Sequence, residues 1–310
     1  MAGTKKKLSV SVLSGGPDAE AMISRKSAEA ISDALRTAGH QVFEVDLPKS
    51  RPELLLHNIP KDHIVFPALH GPWGEGGGAQ RELMDLGLSF VGFTAHAASA
   101  AMDKAKTRQI AATHNVSIAE GAVVDSGSQA PCPPPCILKP LDEGCSVGLQ
   151  LLKTETELTE ALHKLSSSAL CEAFVPGREF TVPWLLGKVL PIIEIVPAEG
   201  LYDHEAKYVR DDTTFTVAPE ISEQAQVQLR NATLTMANAL NARHLGRADF
   251  ILGPQGPVFL EWNAMPGFTT NSLLPRAAAH SGIPLPQLTD RLVLAAHAEG
   301  PLQPISDCES

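Results

Sequence analysis

The sequence predicts an α/β protein of two or three structural units, with a doubly wound parallel sheet at its N-terminus and antiparallel or mixed sheets after it. Three observations carry this. A chain of 310 residues is long enough to bury more than one substantial core. Its first hundred residues alternate apolar runs with an amphipathic helical period, the signature of βαβ units around a parallel sheet. Beyond them the strand-like runs follow one another too closely for crossover helices, which implies antiparallel or mixed pairing.

Taken in order, KLSVSVL reads as a first strand, SRKSAEAISDALRTAGH as an amphipathic helix closed by Gly39, QVFEVDL as a second strand and HIVFPALHG as a third. The stretch SFVGFTAHAASAAMDKAKTRQIAATHN reads as a turn and a helix. Short strands follow in AEGAVV, CILKPL, SVGLQLL, CEAFV and EFTVPWLL, and later in KVLPIIEIVP, ADFILG and PVFLEWN. A long helix is expected from about Ser222 to Asn241, and a last one from about Pro286 to His297. The prolines between Pro131 and Pro135 mark a loop that joins strands or domains.

Against 35 Asp+Glu stand 25 Lys+Arg, a formal charge of -10, which argues against a general nucleic-acid or anionic-membrane binder. No apolar stretch approaches the roughly 20 residues that cross a bilayer, and the start MAGTKKKLSVSVL has too short an apolar run for a secretory signal. A cytoplasmic location is expected. The five cysteines, Cys132, Cys136, Cys145, Cys171 and Cys308, form no dense framework, so reduced thiols are expected. The spacing of PCPPPC is wrong for a zinc knuckle and suits a loop.

Four stretches carry chemistry. In EWNAMPGFTTNSLLP, Glu261 and Asn263 stand two apart on a strand and so face the same side, with Trp262 facing the other. GRADF places Arg247 and Asp249 in the same relation, and pairing of the two strands would gather Asp249, Glu261 and Asn263 as oxygen ligands. Such a trio suits magnesium beside a nucleotide better than a calcium cage, with the arginine placed to stabilise developing charge. In ILKPLDEGCSVGL, Lys139 ends a strand, and backbone N–H groups around Gly144 and Ser146 can cradle phosphate; a glycine-containing hairpin is the plain alternative. In EAFVPGREFTV an apolar hinge lies between Glu172 and Glu179, which suits an adenine and its ribose but is by itself only a β-hairpin.

Together these residues resemble the ATP-grasp family, and more closely the D-alanine:D-alanine ligases. LSGGPDAE, LHGPWGEGGG, MDKAKTR, ILKPLDEGCSVG, EAFVPGREFTV, YDHEAKY, GRADF and EWNAMPGFTTNSLLP all occur in that family's order, over almost the whole chain. The resemblance implies a three-domain ATP-grasp architecture: an N-terminal parallel α/β domain at 1–98, a central domain at 99–184 and a C-terminal domain at 185–310, the latter two being α+β and enclosing ATP. It implies ATP-dependent joining of two D-alanines through an acyl phosphate for peptidoglycan synthesis. Its partners are then ATP, two magnesium ions (with manganese as a substitute) and D-alanine, in a homodimer.

Carried over by residue, the resemblance implies that Lys104, Lys139 and Lys207 contact phosphates, that Glu172, Ala173, Phe174 and Val175 meet adenine, and that Glu179 holds the ribose. Asp249, Glu261 and Asn263 would bind magnesium. Glu20 would take the first D-alanine's ammonium, with His70 near its carboxylate. Arg247 and backbone N–H groups around Gly267 would stabilise the tetrahedral adduct. Ser272 and Leu273 would receive the second D-alanine's carboxylate, and Tyr208 would close a loop over the site beside Ser146. Three positions depart from the family pattern. Cys145 replaces a serine that links Glu20 to Tyr208, Gly76 replaces an aspartate, and His204 replaces an aromatic residue. All three bear on the substrate side, so a related ligase with D-lactate, D-serine or another acceptor is the near alternative, against which Tyr208 speaks. A nucleotide-binding protein without turnover is the distant one, against which Arg247 and the ligand trio speak.

Overall fold

A computed structural model of the chain describes residues 6–141, 148–198 and 212–303. The first sheet is parallel, with strands in the order β2 (Gln41–Leu47), β1 (Ser9–Gly15), β3 (Ile64–Pro67) and β4 (Ser89–Phe90). β1 is flanked on both sides, and its residues from Val10 to Gly15 are buried, whereas β2 at the edge is largely exposed. The helix α1 (Ala21–Ala38) connects β1 to β2. It ends where expected, at Gly39 with φ of 97°, whose N–H bonds back to the carbonyls of Leu35 and Arg36. Three short helices, α2 (Glu53–Leu56), α3 (Gly71–Gly74) and α4 (Gly78–Asp85), complete this region.

The single helix expected after SFVGF is two, α5 (Ala95–Met102) and α6 (Lys104–Thr113). Asp103 leaves the helical region with ψ of 106°, and its carboxylate accepts the N–H of Lys106, so it ends one helix and caps the next. The second sheet is antiparallel, as the strand spacing implies, in the order β5 (Gly121–Val124), β8 (Ala169–Ala173), β6 (Cys136–Pro140) and β7 (Gln150–Leu152). A helix not expected from the sequence, α7 (Glu155–His163), packs on it. Its N-terminus is a capping box in which the Thr154 hydroxyl accepts the N–H of Glu157 and the Glu157 carboxylate accepts that of Thr154.

The third sheet runs β12 (Thr214–Val217), β11 (Ile193–Val196), β9 (Arg178–Leu185), β13 (Leu245–Gly253) and β14 (Gly256–Asn263), with β10 (Lys188–Val189) paired to β9. KVLPIIEIVP therefore divides into β10 and β11 rather than forming one strand. Helix α8 (Glu223–Ala239) follows its predicted position within a few residues, α9 (Leu273–His280) is a helix not expected from the sequence, and α10 (Leu285–Glu299) again lies where predicted.

One core joins the parallel sheet to the third: Val10, Val12 and Phe66 pack with Ile193, Leu245, Phe268 and the C-terminal helices, and the Phe66 and Phe268 rings meet edge to face at 5.4 Å. A second lies between the third sheet and α5, α6 and α8, and contains Trp184, Phe250 and Trp262. The core under the second sheet includes Cys132, Cys136 and Cys171, which are free thiols whose pKa values burial pushes up. They act as small apolar groups, and the loop reading of PCPPPC holds. No described helix is long and apolar enough to cross a membrane.

Candidate active site

Strands β13 and β14 set the centre of the site. Their antiparallel register puts Arg247 opposite Asn263 and Asp249 opposite Glu261, so the two period-two pairs read from the sequence meet face to face. Immediately beyond Asp249 the register shifts, the local kink of a β-bulge. Trp262 points the other way into the second core, as its position between Glu261 and Asn263 requires.

Asp249 is 5% exposed, and its carboxylate is fully engaged. Oδ1 accepts the Thr181 hydroxyl at 2.5 Å and Arg247 Nε at 2.9 Å; Oδ2 accepts Arg247 Nη2 at 2.9 Å and Asn263 Nδ2 at 3.0 Å. Thr181 lies opposite Asp249 on β9, so three adjacent strands hold one carboxylate. The bidentate pair fixes the guanidinium plane of Arg247.

Glu261, Asn263 and Ala264 line an open cleft with Ala101, Met102, Lys104 and Glu75. Lys104 reaches this cleft as the first residue of α6, directly after the capping Asp103. Glu75, which carried no role in the sequence reading, lies in LHGPWGEGGG. Its Oε1 accepts the N–H of Gly71 at 3.3 Å, and it also accepts a backbone hydrogen bond from Met265. Burial first, and then the charge of Glu20, push its carboxyl up to about 8. Glu20 stands at the start of α1, and Gly71 separates it from Glu75. With φ of +84°, a Cβ at Gly71 would lie 2.5 Å from Asp18 Cβ and 2.8 Å from Glu20 Oε2, so only glycine lets these segments approach. The Asp18 carboxylate accepts the N–H groups of Trp73 and Gly74 at 3.1 and 3.0 Å.

His70 precedes this turn, and burial lowers its pKa to about 4, so the ring is neutral. Its Nε2 lies 3.5 Å from the Ser27 hydroxyl, which also accepts the N–H of Phe268 at 3.4 Å. His70 is thereby tied to the loop carrying Gly267. Ser272 precedes α9, where its hydroxyl pairs with that of Thr269 at 2.9 Å, and Leu273 is the first helical residue. Such a helix N-terminus suits a carboxylate.

The expected nucleotide residues lie where the second sheet approaches the third. Glu172, 4% exposed, is the penultimate residue of β8 and is paired with Lys139 at 2.5 Å and with Arg108 of α6. The N–H groups of Ala173 and Phe174 bond to the carbonyls of Glu120 and Pro135, and Val175 runs beside Gly253 at the end of β13. Glu179 sits on β9, opposite Ile195 and Ile251. Cys145, Ser146, His204, Lys207 and Tyr208 lie outside the described residues. Arg108, Thr181 and Glu75 were not singled out from sequence. MDKAKTR and the Gly-rich turn were visible, but a polar residue on an otherwise ordinary helix or strand has no local signal for its partners.

The sequence model of the family described as D-ala D-ala ligase C-terminus matches residues 126–294. The D-alanine--D-alanine ligase of Methylacidiphilum infernorum is 35% identical over 289 residues, covering 92% of this chain and 94% of the relative. The crystal structure of D-alanine--D-alanine ligase from Bacillus anthracis complexed with ATP superposes with a TM-score of 0.82 at 25% identity, covering 95% of this chain and 98% of that one. The VanG D-Ala:D-Ser ligase of Enterococcus faecalis shares the fold with a TM-score of 0.80 at 22% identity, so the fold does not select the acceptor. A match at 35% identity spanning nearly the full length of both chains makes this chain a member of the D-alanine--D-alanine ligase family.

Proposed function

We propose that the protein joins two D-alanines at the expense of ATP, giving D-alanyl-D-alanine, ADP and phosphate for peptidoglycan synthesis. The observation that carries this is the in-register pairing of Arg247 and Asp249 with Asn263 and Glu261, the latter two lining a cleft that Lys104 also reaches. It is supported by the family membership and by the ATP-bound relative.

The carboxylate of the first D-alanine attacks the γ-phosphorus, and ADP leaves. The amine of the second then attacks the acyl phosphate carbonyl, phosphate departs, and the amine loses its proton. No covalent bond to the protein forms, so positioning and charge neutralisation do the catalysis. Glu20 holds the first ammonium, with the neutral His70 beside its carboxylate. Lys104, Lys139 and Lys207 hold phosphates; Glu172 to Val175 meet the adenine and Glu179 the ribose. Arg247, locked in plane by Asp249, and the N–H groups near Gly267 face the oxyanion of the adduct. Ser272 and Leu273 receive the second carboxylate at the start of α9. Exclusion of water from the acyl phosphate is the part that the family resemblance gives to Tyr208, Ser146 and Cys145, which lie outside the described residues.

Among the described residues, no three Asp, Glu, His or Cys side chains gather as a metal site. The residues that would hold magnesium are Glu261, Asn263 through its amide oxygen, and Asp249, whose oxygens accept from Thr181, Arg247 and Asn263 and would have to exchange a donor for the ion, with phosphate oxygens and water completing the shell. When bound, magnesium neutralises charge on the phosphates. Use of ATP fits a cytoplasmic enzyme, and we retain the homodimer and the three-unit division at residues 98/99 and 184/185.

The test is phosphate release from ATP with D-alanine, L-alanine or no amino acid, and the mass of products formed with D-alanine beside D-serine or D-lactate. The dipeptide alone, with turnover dependent on D-alanine and lost in Asp249→Asn, is expected. A mixed product with D-serine or D-lactate would move the assignment to the alternative acceptor, and ATP binding without turnover would reject an enzyme.

A further inference from the structure

Arg108, Glu172 and Lys139 form a buried set of two cations on one carboxylate. Glu172 pairs opposite Ile137, so Lys139, two residues further along β6, is its diagonal neighbour on the same face of the sheet. Lys139 Nζ lies 2.5 Å from Glu172 Oε2, and Arg108 Nη1 donates to Oε1. Arg108 Nη2 is anchored separately, to the carbonyls of Ala119 at 2.9 Å and Gly121 at 3.2 Å. The Lys139 and Glu172 side chains are 12% and 5% exposed.

A lysine needed at a phosphate is therefore held by a carboxylate. If Lys139 were its only partner, release would leave a bare, buried charge, which would oppose nucleotide binding. We propose that Arg108 is a positioning residue that keeps Glu172 paired while Lys139 passes from this carboxylate to the nucleotide, so that ATP binding is an exchange of partners. The proposal rests on the nucleotide site argued above. Arg108 is the fixed member, because its planar fork is pinned by two carbonyls as well as by Glu172. Lys139 is the mobile one, a point charge on a flexible stem. Its departure frees Glu172 Oε2 to accept a hydrogen bond from the amino group of adenine.

ADP binding by calorimetry needs no turnover and reads the exchange directly; melting temperatures and KM for ATP and D-alanine accompany it. In Arg108→Met the Kd for ADP should rise on the order of tenfold, with KM for D-alanine changed by less than about twofold. Arg108→Lys should keep ADP affinity within about threefold, since a charge remains beside Glu172. Adding Glu172→Gln to Arg108→Met should recover most of the lost affinity, because no carboxylate then retains Lys139. A lower melting temperature with unchanged ADP affinity in Arg108→Met, or losses that simply add in the double variant, would overturn the proposal. Should Arg108→Met not fold, a tenfold loss of ADP affinity in a stably folded Arg108→Lys would do the same. Wild-type protein that binds no ADP would remove the nucleotide site itself, and the proposal with it.

Discussion

Glu75 offers a perturbation whose size follows from its surroundings. Its carboxyl titrates near 8 against an ordinary value of 4.5, chiefly because burial disfavours the charged form and because Glu20 repels it. Between those two pH values the folded protein holds a proton that the unfolded chain has lost. Stability is therefore full below pH 4.5 and declines as the pH rises through 8. The interval of about 3.5 pH units corresponds at most to about 5 kcal/mol, at 1.36 kcal/mol per unit. Glu75 borders the open cleft, so water screens part of that penalty, and an effect of roughly 2 kcal/mol is the reasonable expectation. Glu75→Gln keeps an acceptor for the Gly71 and Met265 N–H groups and turns the other end into a donor toward Glu20. The variant should match wild type in thermal melts at pH 4.5 and exceed it at pH 8.5. A difference between variant and wild type that does not change with pH would refute the reasoning, since it would mean that Glu75 titrates alike in both states.

Two other perturbations test how the segments around the cleft are held together. Gly71→Ala should destabilise the protein by about 2–4 kcal/mol, from the left-handed backbone and the clash with Asp18 and Glu20, and should raise KM for D-alanine more than KM for ATP; a wild-type melting temperature would contradict the close packing. Arg243 Nη1 donates to the carbonyls of Phe90 and Gly92, and its Nε pairs with Glu299 on α10, so Arg243→Met should cost about 2–4 kcal/mol in denaturant unfolding, while an effect below about 0.5 kcal/mol would show that water replaces these bonds freely.

Much of the molecule was legible in the sequence because it follows from short-range periodicity. The parallel N-terminal sheet, the closure of α1 at Gly39 and the shared facing of Glu261 with Asn263 and of Arg247 with Asp249 all derive from fixed repeats of helix and strand. The capping box at Thr154 was equally local, and attending to it would have revealed α7. The split at Asp103 is decided by one residue's backbone angle, which composition and period do not reveal. Only the tertiary structure determined which strands are neighbours, and hence that Thr181 on β9 completes the hold on Asp249. It alone joined Arg108 to Glu172, 64 positions apart, and set Glu75 beside Glu20 across Gly71. Burial is the physical reason. Charge and hydrogen-bonding capacity belong to a residue, but the cost of leaving them unpaired, and so the choice of partner, arises only where folding removes water.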